Sequence, residues 1–517
     1  MASTSIQRTP SSAGNRRKFT LSVWCKKHSS SQMNFIGTGG SGDQNHIQFD
    51  GSDRFQIRHY AGGNDIIVNT KALLRDPNAW YHLVCSVDTT QATASNRVKL
   101  YINGELAELN DTTYPSQNYD WNFNDAEIHY IGRRAHSNAY LFDGVMSHFH
   151  WIDGTAYDAS PFGSTDSTTG QWSINIEPSV TYGTNGFYLN FADTSDIGKD
   201  VSGNGNDFTP NNLAATDVVP DSPTNNFATF NPLDVSGTGL TYSEGNLKAE
   251  RTSSSFAQAY SSFSFDSGKW YAEFLLDTGN SGVGVIAGTT NPGANRYMGQ
   301  DSYTYAYYSD GRKVNSGSYT SYGDSYSVAA DGSGDIVGVY IDADNGNIYF
   351  SKNGTVQNSG TAAFTSVTGP FRFAIASESN CFHIANFGQD DTFAGLKTSG
   401  SAAASDGNGI GKFYDSIGLS DYLAPCTSNL ADITIGPGQD SQADDHFNTV
   451  LYTGTGSNIS VSGVGFSPNW VWLKSRSLAY DNMIFDTVRG TNKIIKSNST
   501  AAEITTVSTT LLSFDSD

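Results

Sequence analysis

Apolar and polar residues alternate at every second position along much of this chain. Three runs show the pattern clearly, each with its apolar members on one side of an extended segment: Phe19, Leu21, Val23 and Cys25; Tyr81, Leu83, Cys85 and Val87; Val98, Leu100 and Ile102. A period of two is the repeat of a β-strand that is buried on one face. The pattern therefore predicts half-buried strands.

Turn signals separate these runs at short intervals. Asn103-Gly104, Asp153-Gly154 and Asn353-Gly354 are the dipeptides that tight hairpins favour, because both residue types tolerate a positive φ. The spacing leaves little room for helices of ordinary length. We predict an all-β fold of tandem antiparallel β-sandwiches.

Strand runs and composition divide the chain into six predicted segments. They are a polar N-terminal arm at 1–17, a first sandwich with a wrapping segment at 18–212, a linker at 213–239, a second sandwich at 240–397, a linker at 398–446 and a smaller β module at 447–517. In the first sandwich the strand runs lie at 18–26, 45–50, 53–60, 64–69, 80–88, 97–103, 127–133 and 140–152. The last module shows no closing strand, so we expect either completion by another chain or a natural protein that continues past residue 517.

Composition narrows the class of protein further. Aromatic residues make up 12% and charged residues 16% of the chain, which is the composition of a folded protein. We expect no membrane span and no signal peptide, because no long apolar run exists and the N-terminus is polar. The four cysteines are too scattered for a disulfide framework, and we expect buried thiols.

The charge of the chain is unevenly distributed. The formal net charge is -21, which disfavours nucleic acid as a partner. Residues 1–160 carry 14 basic and 15 acidic side chains, whereas residues 161–517 carry 16 and 36. The first module is thus nearly neutral and the remainder is acidic.

Aromatic residues amid Ser, Asp, Asn and Gly are the candidate ligand-binding groups. Tyrosine and tryptophan faces stack on sugar C–H groups, while neighbouring amides and carboxylates bind hydroxyls. Such residues are dense at 297–326 and in the loop at 114–125. We predict as glycan-binding candidates Tyr303, Tyr305, Tyr307, Tyr319, Tyr322 and Trp121. The alternatives are that the tyrosines are core or inter-subunit residues and that the loop packs its own aromatics.

We expect neither catalysis nor a cofactor. Asp342 and Asp344 form an acidic pair at strand spacing, but their position at a hairpin turn favours a structural role. His148 and His150 are read as structural or surface residues rather than as metal ligands. The alternative left open is a calcium ion in the loop at 198–207, bound by Asp200 and Asp207.

Two stretches resemble known domain families. AWYHLVCSVDTT (79–90), RVKLYINGEL (97–106), HYIGRR (129–134) and LFDGVMSHFHWIDG (141–154) resemble, in content and order, laminin-G-like domains of the concanavalin type. SGKWYAEF (267–274), VGVYIDADNGNIYFSKNG (337–354) and FRFAIASES (371–379) resemble a SPRY-type domain. These resemblances imply a jelly roll followed by a SPRY-like sandwich, both of which are binding scaffolds.

The whole arrangement resembles virion-associated proteins of marine bacteriophages. TNNFATFNPLD between the sandwiches and GFSPNWVWLKSRS after them contribute to this resemblance. It implies a non-enzymatic virion protein, made in the host cytoplasm, that acts as a fibre or adhesin and attaches to a host-surface glycan. Its partners would be other virion proteins and further copies of itself, with a trimer expected. The alternatives are a head or tail decoration protein without glycan recognition and a polysaccharide-degrading enzyme.

Overall fold

The computed structural model describes residues 4–62, 65–166, 170–237, 239–253, 255–277, 282–290, 292–378, 381–398, 404–415, 417–431, 443–505 and 510–515. Two compact units are present, one of residues 1–164 and 172–430 and the other of residues 165–171 and 431–517. The helices in the described ranges are three-residue 3-10 turns at Ala94–Asn96, Ser160–Phe162, Ala215–Asp217, Asn358–Gly360, Thr427–Asn429 and Ala443–Asp445. The predicted all-β class is confirmed.

The first sandwich is built from the strands of the N-terminal part of the chain. They are β1 (Ser5–Arg8), β2 (Lys18–Lys27), β3 (Met33–Gly40), β4 (Asp43–Phe49), β5 (Phe55–Tyr60), β6 (Ile66–Thr70), β7 (Trp80–Asp88), β8 (Val98–Ile102), β9 (Glu105–Leu106), β10 (Leu109–Thr113), β11 (His129–Ile131), β12 (Gly144–Asp153), β13 (Gly163–Thr165), β14 (Trp172–Ile174), β15 (Phe187–Leu189) and β16 (Thr209–Asn211).

Two antiparallel sheets face each other across one core. Eight strands pair in the order β10-β6-β5-β4-β3-β11-β1-β16, and six in the order β15-β12-β2-β7-β8-β9, while β13 and β14 form a separate two-stranded sheet. The predicted apolar faces lie inward: Phe19, Leu21, Val23 and Cys25 of β2 are fully buried in this core. Period-two patterning thus places each strand with its apolar side toward the opposite sheet.

The predicted polar arm at 1–17 belongs in part to this sandwich. Strand β1 pairs with β11 on one side and with β16 on the other, and its Ile6 is buried. One inward apolar residue and backbone hydrogen bonds to two neighbours hold this strand, although the arm is polar elsewhere. Residues 1–3 of the arm lie outside the described residues.

The second sandwich follows with its own strands. They are β17 (Phe230–Ser236), β18 (Leu240–Ser243), β19 (Lys248–Arg251), β20 (Ala257–Ser261), β21 (Lys269–Leu276), β22 (Val283–Ala287), β23 (Thr304–Tyr307), β24 (Arg312–Asn315), β25 (Ser318–Ser321), β26 (Ile336–Asp342), β27 (Asn347–Lys352), β28 (Thr355–Val356), β29 (Phe371–Ser377), β30 (Cys381–Asn386), β31 (Ala404–Ser405) and β32 (Lys412–Phe413). Its two seven-stranded sheets have the orders β17-β20-β29-β22-β23-β24-β25 and β18-β19-β30-β21-β26-β27-β28, while β31 and β32 form a separate two-stranded sheet.

Part of the predicted linker at 398–446 covers the outer face of the second sheet. Phe413 and Tyr422 pack there on Tyr271, which is fully buried. The backbone N–H of Tyr414 donates to Oε2 of the buried Glu273 side chain at 2.8 Å. Residues 404–430 are therefore integral to the first unit, whereas residues 399–403, 416 and 432–442 lie outside the described residues.

The predicted linker at 213–239 likewise forms ordered structure between the two sandwiches. Strand β17 lies within it, and Lys26 of β2 inserts its ammonium group into the preceding segment. The Lys26 Nζ donates to Asp221 Oδ2 at 2.9 Å, Asn226 Oδ1 at 2.7 Å and the Phe227 carbonyl at 3.0 Å. All three ammonium protons are satisfied, and the first sandwich is thereby fastened to the chain that leads into the second.

The second unit contains a small antiparallel sheet. Its strands are β33 (Trp470–Leu473), β34 (Met483–Asp486) and β35 (Ile495–Lys496), in that order. Phe485 and Ile494 are buried, whereas Trp470 and Trp472 are about half exposed. A smaller C-terminal β element, as predicted, is present.

Candidate functional site

Three of the six predicted ligand-binding aromatics are core residues. Trp121 and Tyr307 have no exposed surface, and Tyr322 is buried. Trp121 packs edge-on against Phe19 in the first core, and Tyr307 stacks on Phe350 in the second. The prediction that these three rings face a ligand is therefore wrong, because the cores take them up.

The other three candidates lie in different surroundings. Tyr305 is half-buried and packs edge-on against Phe364, while Tyr303 packs on the outer side of its sheet. They do not share a face, because the strand begins at Thr304. Tyr319 is the one exposed side chain of the six, and the Arg312 guanidinium lies 4.5 Å from its ring centroid.

A different set of side chains forms a concave polar site on the first sandwich. Strand β4 turns Ile47 and Phe49 into the core, which leaves Gln44, His46 and Gln48 on the outer face of the eight-stranded sheet. Strand β5 likewise presents Gln56, Arg58 and Tyr60. The register places Gln44 opposite Tyr60, His46 opposite Arg58 and Gln48 opposite Gln56.

The loop after β11 adds the remaining wall. Arg134 Nε donates to Gln44 Oε1 at 2.6 Å, and the backbone N–H of Asn34 donates to the Tyr140 carbonyl at 3.0 Å. Gly37 lies beneath the loop, where a Cβ would stand 3.2 Å from the Ala135 nitrogen. A glycine at this position lets the loop lie close against the sheet.

These elements enclose a cavity of about 120 Å³, which we call the sheet groove. It is lined by Gln32, His46, Gln48, Arg58, Tyr60, Arg134 and Tyr140. Tyr60 is 37% and Tyr140 39% exposed. Each ring is paired with a cation: the Arg58 guanidinium lies 5.6 Å from the Tyr60 centroid and that of Arg134 lies 5.3 Å from the Tyr140 centroid.

Hydrogen bonds fix the floor of the sheet groove. Gln48 Nε2 donates to Gln56 Oε1 at 2.6 Å, and Gln32 Nε2 donates to Gln48 Oε1 at 3.2 Å. Arg58 forms an ion pair with Asp65. Burial, together with the positive charges of Arg134 and Arg58, lowers the pKa of His46 to about 3. The imidazole is therefore neutral near pH 7.

This arrangement suits binding. Guanidinium and amide groups donate hydrogen bonds, and two partly exposed rings offer flat apolar faces. None of the seven lining residues is Asp or Glu.

Sequence reasoning predicted the strands of the sheet groove but not the site itself. The strand runs at 45–50 and 53–60 imply an outer row that contains His46, Gln48, Arg58 and Tyr60. Arg134 and Tyr140 reach that row only through the fold of their loop. The sequence signal that could have indicated the site is the composition of this outer row, which contains histidine, arginine and tyrosine rather than serine and lysine.

The acidic and histidine candidates have structural partners. Asp342 accepts hydrogen bonds from the backbone N–H and the side chain of Asn345 in its turn. Asp200 accepts from the backbone N–H groups of Tyr188, Ser202 and Asn206.

His150 is buried and hydrogen-bonds Tyr182, and a bulge in β12 separates it in register from His148. Among the described residues, no three or more His, Cys, Asp or Glu side chains are grouped in a way that could hold a metal ion.

Comparison with family models identifies the domains. Residues 2–159 match the concanavalin A-like lectin/glucanases superfamily, and residues 228–390 match the SPRY domain. The chain carries a concanavalin A-like domain followed by a SPRY domain. Residues 442–517 match a domain of unknown function, DUF7483. The sheet groove lies in the concanavalin A-like domain.

Three solved structures with similarity to the chain are two SPRY-type domains and a toxin. The SPRY domain of human HERC1 is 18% identical, with 30% of this chain and 96% of that chain covered and a TM-score of 0.25. Stonustoxin is 22% identical over 31% of this chain and 27% of its own, with a TM-score of 0.24. The TRIM65 PSpry domain is 12% identical over 31% and 88%, with a TM-score of 0.25.

No curated protein matches the chain. None of the helices in the described ranges has the length and apolar character needed to cross a bilayer.

Proposed function

We propose that the chain is a non-enzymatic attachment protein whose concanavalin A-like domain binds carbohydrate in the sheet groove. The observation that carries the proposal is the combination of two partly exposed tyrosines with guanidinium and amide donors around one concave site. Sugar C–H faces stack on such rings, and the donors bind hydroxyl oxygens.

The size of the sheet groove limits what it can hold. Its volume of about 120 Å³ is small compared with the roughly 300–1,000 Å³ of pockets that enclose a drug-sized ligand. About one saccharide unit would fit, with the rest of a glycan extending over the surface. A terminal or branching sugar of a longer glycan is therefore the proposed ligand.

The biological setting is proposed from the sequence. The resemblance to virion-associated proteins of marine bacteriophages supports a fibre or adhesin on the particle that contacts the host surface. The absence of Asp and Glu from the groove lining supports binding without hydrolysis, since glycoside hydrolysis ordinarily needs two carboxylates. The SPRY domain supplies a second binding-type fold in the same compact unit.

A glycan array probed with the full chain tests this proposal. We expect binding that Tyr60→Ala and Tyr140→Ala each weaken at least about tenfold, because each removes a stacking face. The matched control is Tyr319→Ala, which removes an exposed tyrosine beside an arginine on the SPRY domain. A blank array, or binding lost in the control and kept in the groove variants, would overturn the proposal. A blank array together with co-purification of virion proteins would favour the decoration role.

A further inference from the structure

We infer that the sheet groove selects saccharides that carry a negative charge over neutral ones, with Arg134 as the residue that pairs with that charge. The inference rests on the proposed function of the groove and specifies its ligand class. The acidic group is a carboxylate or a sulfate ester, which share the chemistry that a guanidinium recognises.

Arg134 has a positive charge that no carboxylate in the described part of the chain neutralises. Its Nε donates to the neutral Gln44 side chain at 2.6 Å, which orients the guanidinium. No described Asp or Glu lies within ion-pair distance of it, whereas Arg58 is paired with Asp65. The two Nη groups of Arg134 are thus left for a ligand, at a site where the other cation is already compensated.

One buried donor at the sheet groove also lacks a partner that an anion could supply, because the Nε–H of Arg58 has no hydrogen-bond acceptor among the described residues. His46 is 4% exposed, and its Nε2 donates to Gln44 Oε1 at 3.3 Å, which leaves its Nδ1 as an acceptor. The positive charges of Arg134 and Arg58 help burial to lower the pKa of His46 to about 3. The groups facing His46 are thus mainly cationic, with Asp65 the carboxylate paired to Arg58.

This local charge contrasts with the chain as a whole. The net charge is -21, and most of the excess lies after residue 160. An acidic glycan would be repelled by much of the surface and attracted at the groove. Such a distribution favours one defined binding position over scattered contacts.

Isothermal titration of the full chain with matched sugar pairs tests the inference. The pairs are methyl glucuronide with methyl glucoside and methyl galacturonide with methyl galactoside, plus the sulfated glucoside to distinguish the two acid groups. We expect one acidic member to bind at least about tenfold more tightly than its neutral counterpart, because a charge-assisted hydrogen bond is worth about that factor. Added salt should weaken binding of the acidic sugar more than binding of the neutral one.

Two neighbouring arginines supply the variant and its control. Arg134→Gln should remove most of the preference for the acidic sugar, because it weakens binding of the acidic sugar more than binding of the neutral one. Arg133→Gln should leave the preference intact, because Arg133 stacks on Tyr130 and does not line the sheet groove. Thermal melting of both variants establishes that they fold.

The outcomes separate the inference from the proposed function. Equal binding of acidic and neutral sugars that depends on Tyr60 would overturn the charge selection and leave the carbohydrate proposal standing. No binding of any sugar would overturn both. A preference that Arg133→Gln abolishes and Arg134→Gln leaves unchanged would overturn the assignment of Arg134.

Discussion

The buried ion pair that fastens the first sandwich to the SPRY domain makes a sharp stability prediction. Lys26 and Asp221 expose 0% and 4% of their side chains, and the Lys26 ammonium has Asp221 as its one carboxylate partner within the described residues. Asp221→Ala would leave that ammonium buried with only the neutral oxygens of Asn226 and Phe227 as acceptors. It would also remove the acceptor of the Trp80 indole N–H at 3.0 Å.

The expected cost is large for a single substitution. Removing one partner of a buried ion pair costs about 3–5 kcal/mol, because the remaining charge stays desolvated without compensation. A typical domain has an unfolding free energy of only about 5–15 kcal/mol. We expect Asp221→Ala to lower strongly the urea concentration at which half of the first unit is unfolded. Tryptophan fluorescence of the full chain measures this unfolding.

A double variant and a surface pair complete the test. Lys26→Met combined with Asp221→Ala should recover much of the lost stability, because the buried charge is then gone. Glu108→Ala breaks the surface ion pair between Lys71 and Glu108, whose side chains are 68% and 78% exposed, respectively. This substitution should change the free energy of unfolding little. A loss of stability in Asp221→Ala no greater than in Glu108→Ala would contradict this prediction.

Three further predictions follow from other groups. Burial raises the pKa of Glu273 to about 8, so its contribution to stability is complete below its ordinary pKa of 4.5 and is lost as the pH rises through about 8. Urea unfolding should show that the difference in unfolding free energy between the wild type and Glu273→Gln changes across this pH range. A difference that is constant with pH would contradict this prediction. Arg134→Gln should raise the pKa of His46, since it removes a nearby positive charge, and NMR of the imidazole resonances measures this pKa. An unchanged pKa would contradict the effect of Arg134 on His46. Light scattering should give the mass of a trimer, and a stable monomer would refute that expectation.

Much of the fold could be predicted because alternation reports burial directly. The run from Phe19 to Cys25 shows one apolar face, and the strand forms as expected. Strand β3 was not predicted, because Gly37, Gly39 and Gly40 dilute its pattern and a bulge shifts the register after Asn34.

The packing of a later chain segment against a sheet could not be predicted from the local sequence pattern either. Residues 404–430 fall in the predicted linker at 398–446, which begins with the small, polar stretch at 398–409. They are ordered by a few tertiary contacts, such as Phe413 against Tyr271 and the backbone of Tyr414 on Glu273. Such contacts join residues more than a hundred positions apart.

The functional site was less accessible from sequence than the fold. A count of tyrosines identifies where aromatic rings are dense, and density favoured the stretch at 297–326. Exposure depends on the opposite sheet, which buries Tyr307 and Tyr322 completely or nearly so. The sheet groove combines β4, β5 and the loop that carries Arg134 and Tyr140, and only the tertiary structure brings these segments together.

Carbohydrate binding in the sheet groove of the concanavalin A-like domain is the function that we propose for this chain. The most direct test is a crystal structure of the full chain with the tightest-binding sugar of the array. We predict density for one saccharide unit between Tyr60 and Tyr140, with its acidic group on Arg134. Density elsewhere, for example at Tyr319 on the SPRY domain, with the sheet groove free of sugar, would contradict it.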